Sequence, residues 1–241
     1  MKRTVLITGA SSGIGRAVAE RLLDEGHTVI GVARTIGSFQ PATANFHPIE
    51  LDLAELDALP QRLQALTERF SQLDAAVFSA GRGQFGALEE FSFAQIRALM
   101  ELNFTSQAYC ARAMVPVFKR KKRGDLIFIG SEAALEGRRN GTVYCASKFA
   151  LRGFTQALRE ECSSSNIRVS LINPGMVRTA FFDQLHFEPG PRESQSIQPD
   201  EIAELIAFLL KLRAGTNLDE INLSPLHKVI HFKSRSNKKR D

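Results

Sequence analysis

The sequence predicts an α/β fold: a single domain built on a doubly wound parallel sheet of about seven strands, with helices on both faces. Three observations carry this. Short β-rich runs alternate with segments of helical periodicity along nearly the whole chain. The runs are almost continuously apolar, as strands covered on both faces must be. A glycine-rich turn joins the first run to the first helical segment. A chain of 241 residues with 44% hydrophobic side chains is long and apolar enough to bury a core of this kind. No linker divides residues 1–232.

Taken in order, the first strand is TVLIT (4–8), followed by TGASSGIGRA and a helical pattern from Ile14 to Asp24. TVIGVA (28–33) is the second strand and FHPIEL (46–51) a shorter one. A helix follows from Leu56 to Phe70, with Pro60 near its start, where a missing N–H is tolerated. AAVFSA (75–80) precedes the longest uninterrupted helical pattern, Ile96 to Phe118. LIFIG (126–130) leads to a helix from Val143 to Cys162, and RVSLIN (168–173) is the next strand. The stretch AFFDQLHFEPGPRESQSIQP (180–199) is irregular and mixes phenylalanines with proline, glycine and charge. Long loops in compact domains are usually functional, and these phenylalanines point to a substrate loop that closes on something apolar. A helix from Ile202 to Leu212 and a strand within LDEINLS (218–224) complete the pattern. Alternation on this scale means βαβ units with right-handed crossovers. From Lys233 the chain reads as a disordered tail.

Charge excludes some functions. The net charge is +5, but the tail KSRSNKKRD (233–241) supplies +4 of it, leaving the body at +1. A near-neutral body argues against nucleic acid as a partner. The run KRKKR (119–123) falls at the end of a helical pattern, where cations suit the negative end of the helix dipole. No run approaches the ~18 apolar residues of a membrane span. The basic start MKR is followed by too short an apolar stretch for a signal peptide. Three cysteines without metal-ligand spacing fit a reducing cytoplasm. His227 and His231 stand four apart but have no third ligand near them, so no metal site is expected.

The first chemical signal is the turn itself. Gly9, Gly13 and Gly15 lie where the chain passes from strand to helix, with Ser11, Ser12 and Ile14 between them. Glycines there let backbone N–H groups approach a pyrophosphate at a helix N-terminus. The spacing differs from the usual G-x-G-x-x-G. At the end of the second strand, where a carboxylate would select NAD, the sequence reads Ala33-Arg34. A guanidinium can pair with a 2′-phosphate, so NADP is favoured over NAD. The second signal is TVYCASKFA (142–150), which places Tyr144 and Lys148 on one helix face.

Together, TGASSGIG, YCASK and their order along the chain resemble the short-chain dehydrogenase/reductase family, over about residues 4–224. Ser131 in IGSEAA, Asn103 in ELNFTS, Asp52 in LDL and the segment INPGMVRT (172–179) also match the family pattern. The resemblance implies a Rossmann-type fold and hydride transfer between NADP(H) and a carbonyl or secondary alcohol. It assigns catalysis to Asn103, Ser131, Tyr144 and Lys148. It assigns cofactor contacts to the glycine turn, Arg34, Asp52, Leu53, Ala80, Gly81, Asn103, Tyr144, Lys148, Pro174, Gly175, Val177 and Thr179. Tyr144 would act as general acid/base, its pKa lowered from about 10 by the Lys148 ammonium and the oxidised nicotinamide. Ser131 would bond the reacting oxygen, and Asn103 would hold a water that links Lys148 to solvent. A homodimer or homotetramer is implied, with the helices from Ile96 and from Val143 as contact surfaces.

Two departures stand out. The family's NNAG reads FSAG (78–81), and the ending INLSPLHKVI lacks a common glycine pair. A non-catalytic NADP-binding sensor on the same fold is the alternative reading. For the substrate, Arg82, Gln84, Phe85, Leu135 to Arg139, Phe181, Phe182 and Leu185 are candidate pocket residues. The phenylalanines suggest an apolar carbonyl or alcohol; Arg138 and Arg139 could instead clamp the carboxylate of a small hydroxy acid. The ending LDEINLSPL resembles family members acting on short hydroxy acids.

Overall fold

The computed structural model describes residues 2–37 and 39–233; the expected basic tail beyond Lys233 lies outside the described residues. The strands are β1 (Thr4–Thr8), β2 (Thr28–Ala33), β3 (Phe46–Glu50), β4 (Ala75–Phe78), β5 (Gly124–Ile129), β6 (Ile167–Pro174), β7 (Phe187–Pro189), β8 (Glu220–Leu223) and β9 (Ile230–Phe232). Seven of them form one parallel sheet in the order β3-β2-β1-β4-β5-β6-β8. This is the doubly wound Rossmann-like arrangement the alternation predicts. The helices are α1 (Gly13–Asp24), α2 (Leu59–Arg69), α3 (Phe93–Met100), α4 (Ser106–Lys121), α5 (Thr142–Ser163) and α6 (Pro199–Lys211). None of the described helices is long and apolar enough to cross a membrane.

The period of two along β1 decides the layering. Val5 and Ile7 face a core shared with α1 and α6, while Leu6 faces the core shared with α2, α4 and α5. All three are fully buried. Such a side chain contributes about 1.5–3 kcal/mol on leaving water, which is why each strand needs a helix on both sides. Because β2 leaves β1 on one side and β4 on the other, a crevice opens at the C-terminal ends of β1 and β4.

At the opposite end of the sheet, Asp125, the second residue of β5, is gripped by the guanidinium groups of Arg3 and Arg168. All three side chains are at least mostly buried. The same arginines donate to the carbonyls of Leu210 and Leu212, tying the end of α6 under the strands.

Three expectations change. The pattern from Ile96 to Phe118 is not one helix: α3 ends at Met100 and a π-helical turn, Glu101–Thr105, joins it to α4. Such a turn inserts a residue into the helical spacing, which a periodicity reading passes over. The strand from Ala75 stops at Phe78, because the N–H groups of Ser79 and Ala80 turn to the Thr8 hydroxyl at 3.1 and 3.2 Å. The 180–199 stretch carries a 3₁₀ turn at Ala180–Phe182, strand β7 and a second 3₁₀ turn at Glu193–Gln195. It gains order from β9, which pairs antiparallel with β7.

Candidate active site

The glycine turn leaves β1 in a conformation that side chains resist. Gly9 has φ +72° and Gly13 φ +54°, both in the left-handed region. Gly15 is excluded from substitution by space, since a Cβ there would stand 2.3 Å from the Gly9 carbonyl oxygen. Ser12 precedes α1 without capping it, so the first-turn N–H groups face outward from the helix start. These features fit a pyrophosphate: donors at the positive helix end with no side chain in the way. Gly13 sits under Thr179, whose Cβ is 3.4 Å from where a Gly13 Cβ would lie. The 174–179 segment thus crosses the turn, held by the Gly175 N–H to Leu223 at 2.8 Å and a bridge from Val177 to Ile197.

Arg34, Asp52 and Leu53 gather at the ends of β2 and β3, where Leu51 N–H bonds the Ala33 carbonyl at 2.9 Å. Arg34 is exposed. The Asp52 carboxylate accepts the Ala54 N–H at 2.9 Å, and Leu53 is buried.

The FSAG departure has a structural answer. Phe78 points into the core and packs against Phe128 with centroids 4.5 Å apart. The backbone of this turn is held by the Thr8 hydroxyl, which accepts the Ser79 and Ala80 N–H groups, and by Gln107, whose amide donates to the carbonyls of Ala80 and Asn103 at 3.0 Å. At Gly81 a Cβ would stand 3.2 Å from Asn103 Oδ1 and 4.0 Å from Lys148 Nζ, so glycine keeps this position clear beside both side chains.

The π-helical turn places Asn103, fully buried, against the chain after β4. Its oxygen accepts the Arg82 N–H at 2.9 Å; its amide donates to the Arg82 carbonyl at 3.0 Å and to Ser147 Oγ at 3.2 Å. Asn103 therefore clasps the strand-end loop to α5. Ser131 caps a 3₁₀ turn, accepting the Ala133 N–H at 3.2 Å, and its own N–H donates to Asn173 Oδ1 at 3.3 Å. Tyr144 and Lys148 lie one turn apart on the buried face of α5. The Tyr144 hydroxyl shares a hydrogen bond with Ser131. Lys148 donates to the Ile129 carbonyl at 3.0 Å. Asn103, Ser131, Tyr144 and Lys148 are thus brought into one crevice beside the glycine turn. A buried ammonium whose recorded hydrogen bond goes to one carbonyl suits the hydroxyls of a nucleotide ribose.

Electrostatics depart from the expected balance. Burial pushes the Tyr144 phenol up to about 12, and the Ser131 hydrogen bond works against that only in part. The Glu132 carboxylate raises it further. Burial lowers the Lys148 ammonium to about 8. In the protein without cofactor, desolvation dominates the Tyr144 phenol; the lowering expected from the sequence includes the charge of the oxidised nicotinamide.

Around the phenol stand aromatic rings: Phe85 at 4.9 Å and Phe181 at 6.1 Å between centroids. Phe187 packs on Phe85 at 5.1 Å, and Phe182 joins Phe181 and Phe187. Leu185 is half-buried in the same loop. Arg138 and Arg139 are exposed, and Arg138 pairs with Glu136 at 2.9 Å. His227 bonds Ser194 and His231 lies in β9. Sequence reasoning missed Phe187 and Gln107 as individual site residues, and the hydrogen bonds that Ser147 and Asn173 make to Asn103 and Ser131. Only Phe187 had a signal, its place in a phenylalanine-rich loop; the others act through partners distant in sequence.

The family model for short chain dehydrogenase matches residues 3–188. An NADP-dependent 3-hydroxy acid dehydrogenase of Schizosaccharomyces pombe is 29% identical over 241 residues, spanning 93% of each chain. An uncharacterized oxidoreductase of Staphylococcus aureus is 27% identical, over 93% of this chain and 97% of its own. Among solved structures, an alcohol dehydrogenase of the archaeon Thermococcus sibiricus, complexed with 5-hydroxy-NADP, superposes with a TM-score of 0.85 at 26% identity, covering 96% of this chain and all of that one. A metagenomic short-chain oxidoreductase in complex with NADP gives 0.80 at 28% identity, over 94% of this chain and 98% of its own.

Proposed function

The chain belongs to the short-chain dehydrogenase family, and from that premise we propose a cytoplasmic reductase that interconverts a carbonyl and a secondary alcohol with NADP(H), using Tyr144 as its general acid and base. The observation that carries this is the Ser131–Tyr144 hydrogen bond with Lys148 one helical turn away, in the crevice that the glycine turn opens.

The glycine turn would hold the pyrophosphate, Arg34 the 2′-phosphate, Asp52 and Leu53 the adenine, Ala80 and Gly81 the passing ribose. Pro174, Gly175, Val177 and Thr179 would flank the nicotinamide. Arg34 is free to pair with a phosphate because it has no ion pair among the described residues. The relatives whose names carry NADP support the same choice over NAD. The bound cofactor supplies or receives the hydride.

Tyr144 donates its proton to the carbonyl oxygen in reduction and takes one from the hydroxyl in oxidation. A phenol held near 12 is fully protonated at neutral pH, the form reduction needs. Ser131, fixed by Ala133 and Asn173, donates to the same oxygen as charge develops there. Lys148, titrating near 8, can pass protons close to working pH. The Asn103 side chain is committed to Arg82 and Ser147, and its backbone carbonyl accepts from Gln107, so Asn103 serves the relay by holding α5 against the loop after β4. Purified protein with NADPH and a panel of ketones tests the reading: turnover by the wild type that survives Tyr144→Phe would remove it.

Self-association as a homodimer or homotetramer is part of the proposal. Tyr109 on α4 and Phe149 on α5 are exposed side chains that such an interface would cover. Light scattering that finds a monomer at micromolar concentration would rule it out.

A further inference from the structure

The reductase reading leaves the chemistry of the substrate open, and the wall around Tyr144 narrows it. Phe85 and Phe181 flank the phenol, Phe187 packs edge-on behind Phe85, and Phe181 reaches across Gly83, where a Cβ would stand 2.4 Å from the ring. A planar apolar group fits such a wall through offset and edge-to-face contacts.

Positive charge is scarce on that wall. Arg178 is committed to the Gly190 carbonyl at 2.6 Å and to Ser196, and Arg138 to Glu136. Lys228 is committed to Glu132 at 2.9 Å. Arg82 and Arg139 are solvent-exposed. Glu132 follows Ser131 directly, but its carboxylate is paired with Lys228, and the Lys148 ammonium lies 5.9 Å from the centre of the Tyr144 ring. The Phe85, Phe181 and Phe187 rings would strip a substrate carboxylate of its hydration and offer it no hydrogen-bond donor in return.

Resting on the reductase reading, we propose that the substrate is a neutral carbonyl compound, or its alcohol, bearing an aromatic group that seats against Phe85, Phe181 and Phe187. Carboxylate-bearing hydroxy acids are disfavoured, unlike the hydroxy acids named for one relative.

The end of the described chain holds this wall in place. Phe187 lies opposite Phe232 in the β7–β9 pair. Lys233 adds a backbone bond to His186 at 2.9 Å and an ammonium bond to the Phe182 carbonyl at 2.6 Å. A three-residue strand has no stability by itself, so β9 and Lys233 position Phe187 and Phe182.

The test follows NADPH formation by the full chain with NADP and three alcohols: methyl 3-hydroxy-3-phenylpropanoate, its free acid, and methyl 3-hydroxybutanoate. Each oxidation gives one ketone, one NADPH and one proton. The phenyl ester is expected to exceed both others in kcat/KM by about tenfold or more, the range a pocket contact of this size discriminates. Phe85→Leu and Phe187→Leu, which keep apolar bulk beside Tyr144, should erase the phenyl-over-methyl advantage while NADPH affinity stays near wild type. The proposal is overturned if the free acid matches or beats its ester, or if the phenylalanine variants lower both esters equally. If NADPH binds but none of the three alcohols is oxidised, and no ketone of the wider panel is reduced, the reductase reading fails and this proposal with it. Turnover that favours the acid removes the substrate proposal alone.

Discussion

Lys148 Nζ lies 5.9 Å from the centre of the Tyr144 ring, yet its hydrogen bond goes to the Ile129 carbonyl at 3.0 Å. The two groups share a helix face without bonding each other. Each is dominated by its own burial, which pushes the phenol up and the ammonium down. Residues at i and i+4 are made neighbours by the helix, but the sheet beneath them decides what they touch.

Tyr144→Phe removes the proton donor and leaves the ring packing with Phe85 intact. Turnover is expected to fall by about 10²–10⁴-fold, the usual contribution of a positioned acid or base. NADPH affinity, followed by cofactor fluorescence, should change little.

Lys148→Met should lose cofactor affinity and turnover yet stabilise the protein. The native ammonium is held near 8 against an ordinary 10.5. Below pH 8 both folded and unfolded chains carry the proton, and the folded one bears the full cost of burying it. Between pH 8 and 10.5 the folded amine is neutral while the unfolded one stays charged, so wild-type stability recovers as pH rises. The Met variant should therefore lead by roughly 1–3 kcal/mol at pH 7, and that lead should vanish by about pH 10.5. Denaturant melts at several pH values would read it; a lead that grows with pH would contradict the assignment.

Arg34→Glu should weaken NADPH by roughly ten- to a hundredfold, the scale of a charge-assisted hydrogen bond, and leave NADH unchanged or improved. Parallel titrations with the two cofactors are the measurement. Equal affinity of wild-type protein for both would mean that Arg34 is a solvated surface residue.

Gly15→Ala forces a methyl group to 2.3 Å from the Gly9 oxygen. The turn must open, at a cost of about 1–3 kcal/mol in stability, and NADPH binding should drop far more than Tm does.

Asp125→Asn unpairs Arg3 and Arg168 at the far end of the sheet. A loss of about 3–5 kcal/mol is expected from the stranded charge. The kcat of the surviving folded protein should be unchanged, since no residue of the crevice touches that cluster.

The sequence by itself determined the parallel α/β architecture, because continuous apolar runs alternating with 3.6-residue periodicity leave few other ways to bury both faces of a sheet. It also determined the glycine turn and the Tyr144–Lys148 face, since both are local: backbone freedom at Gly9 and Gly13, and helical spacing four residues apart. What depended on contacts distant in sequence could not be read there. Whether Asn103 lay in a helix or a π-helical turn, what holds the backbone at FSAG, and that β9 returns to pair beside Phe187 were all settled by packing. The direction of the Tyr144 shift belongs to the same class. A neighbouring charge can be inferred from spacing, but desolvation depends on how many elements close over a group, and only the folded chain sets that.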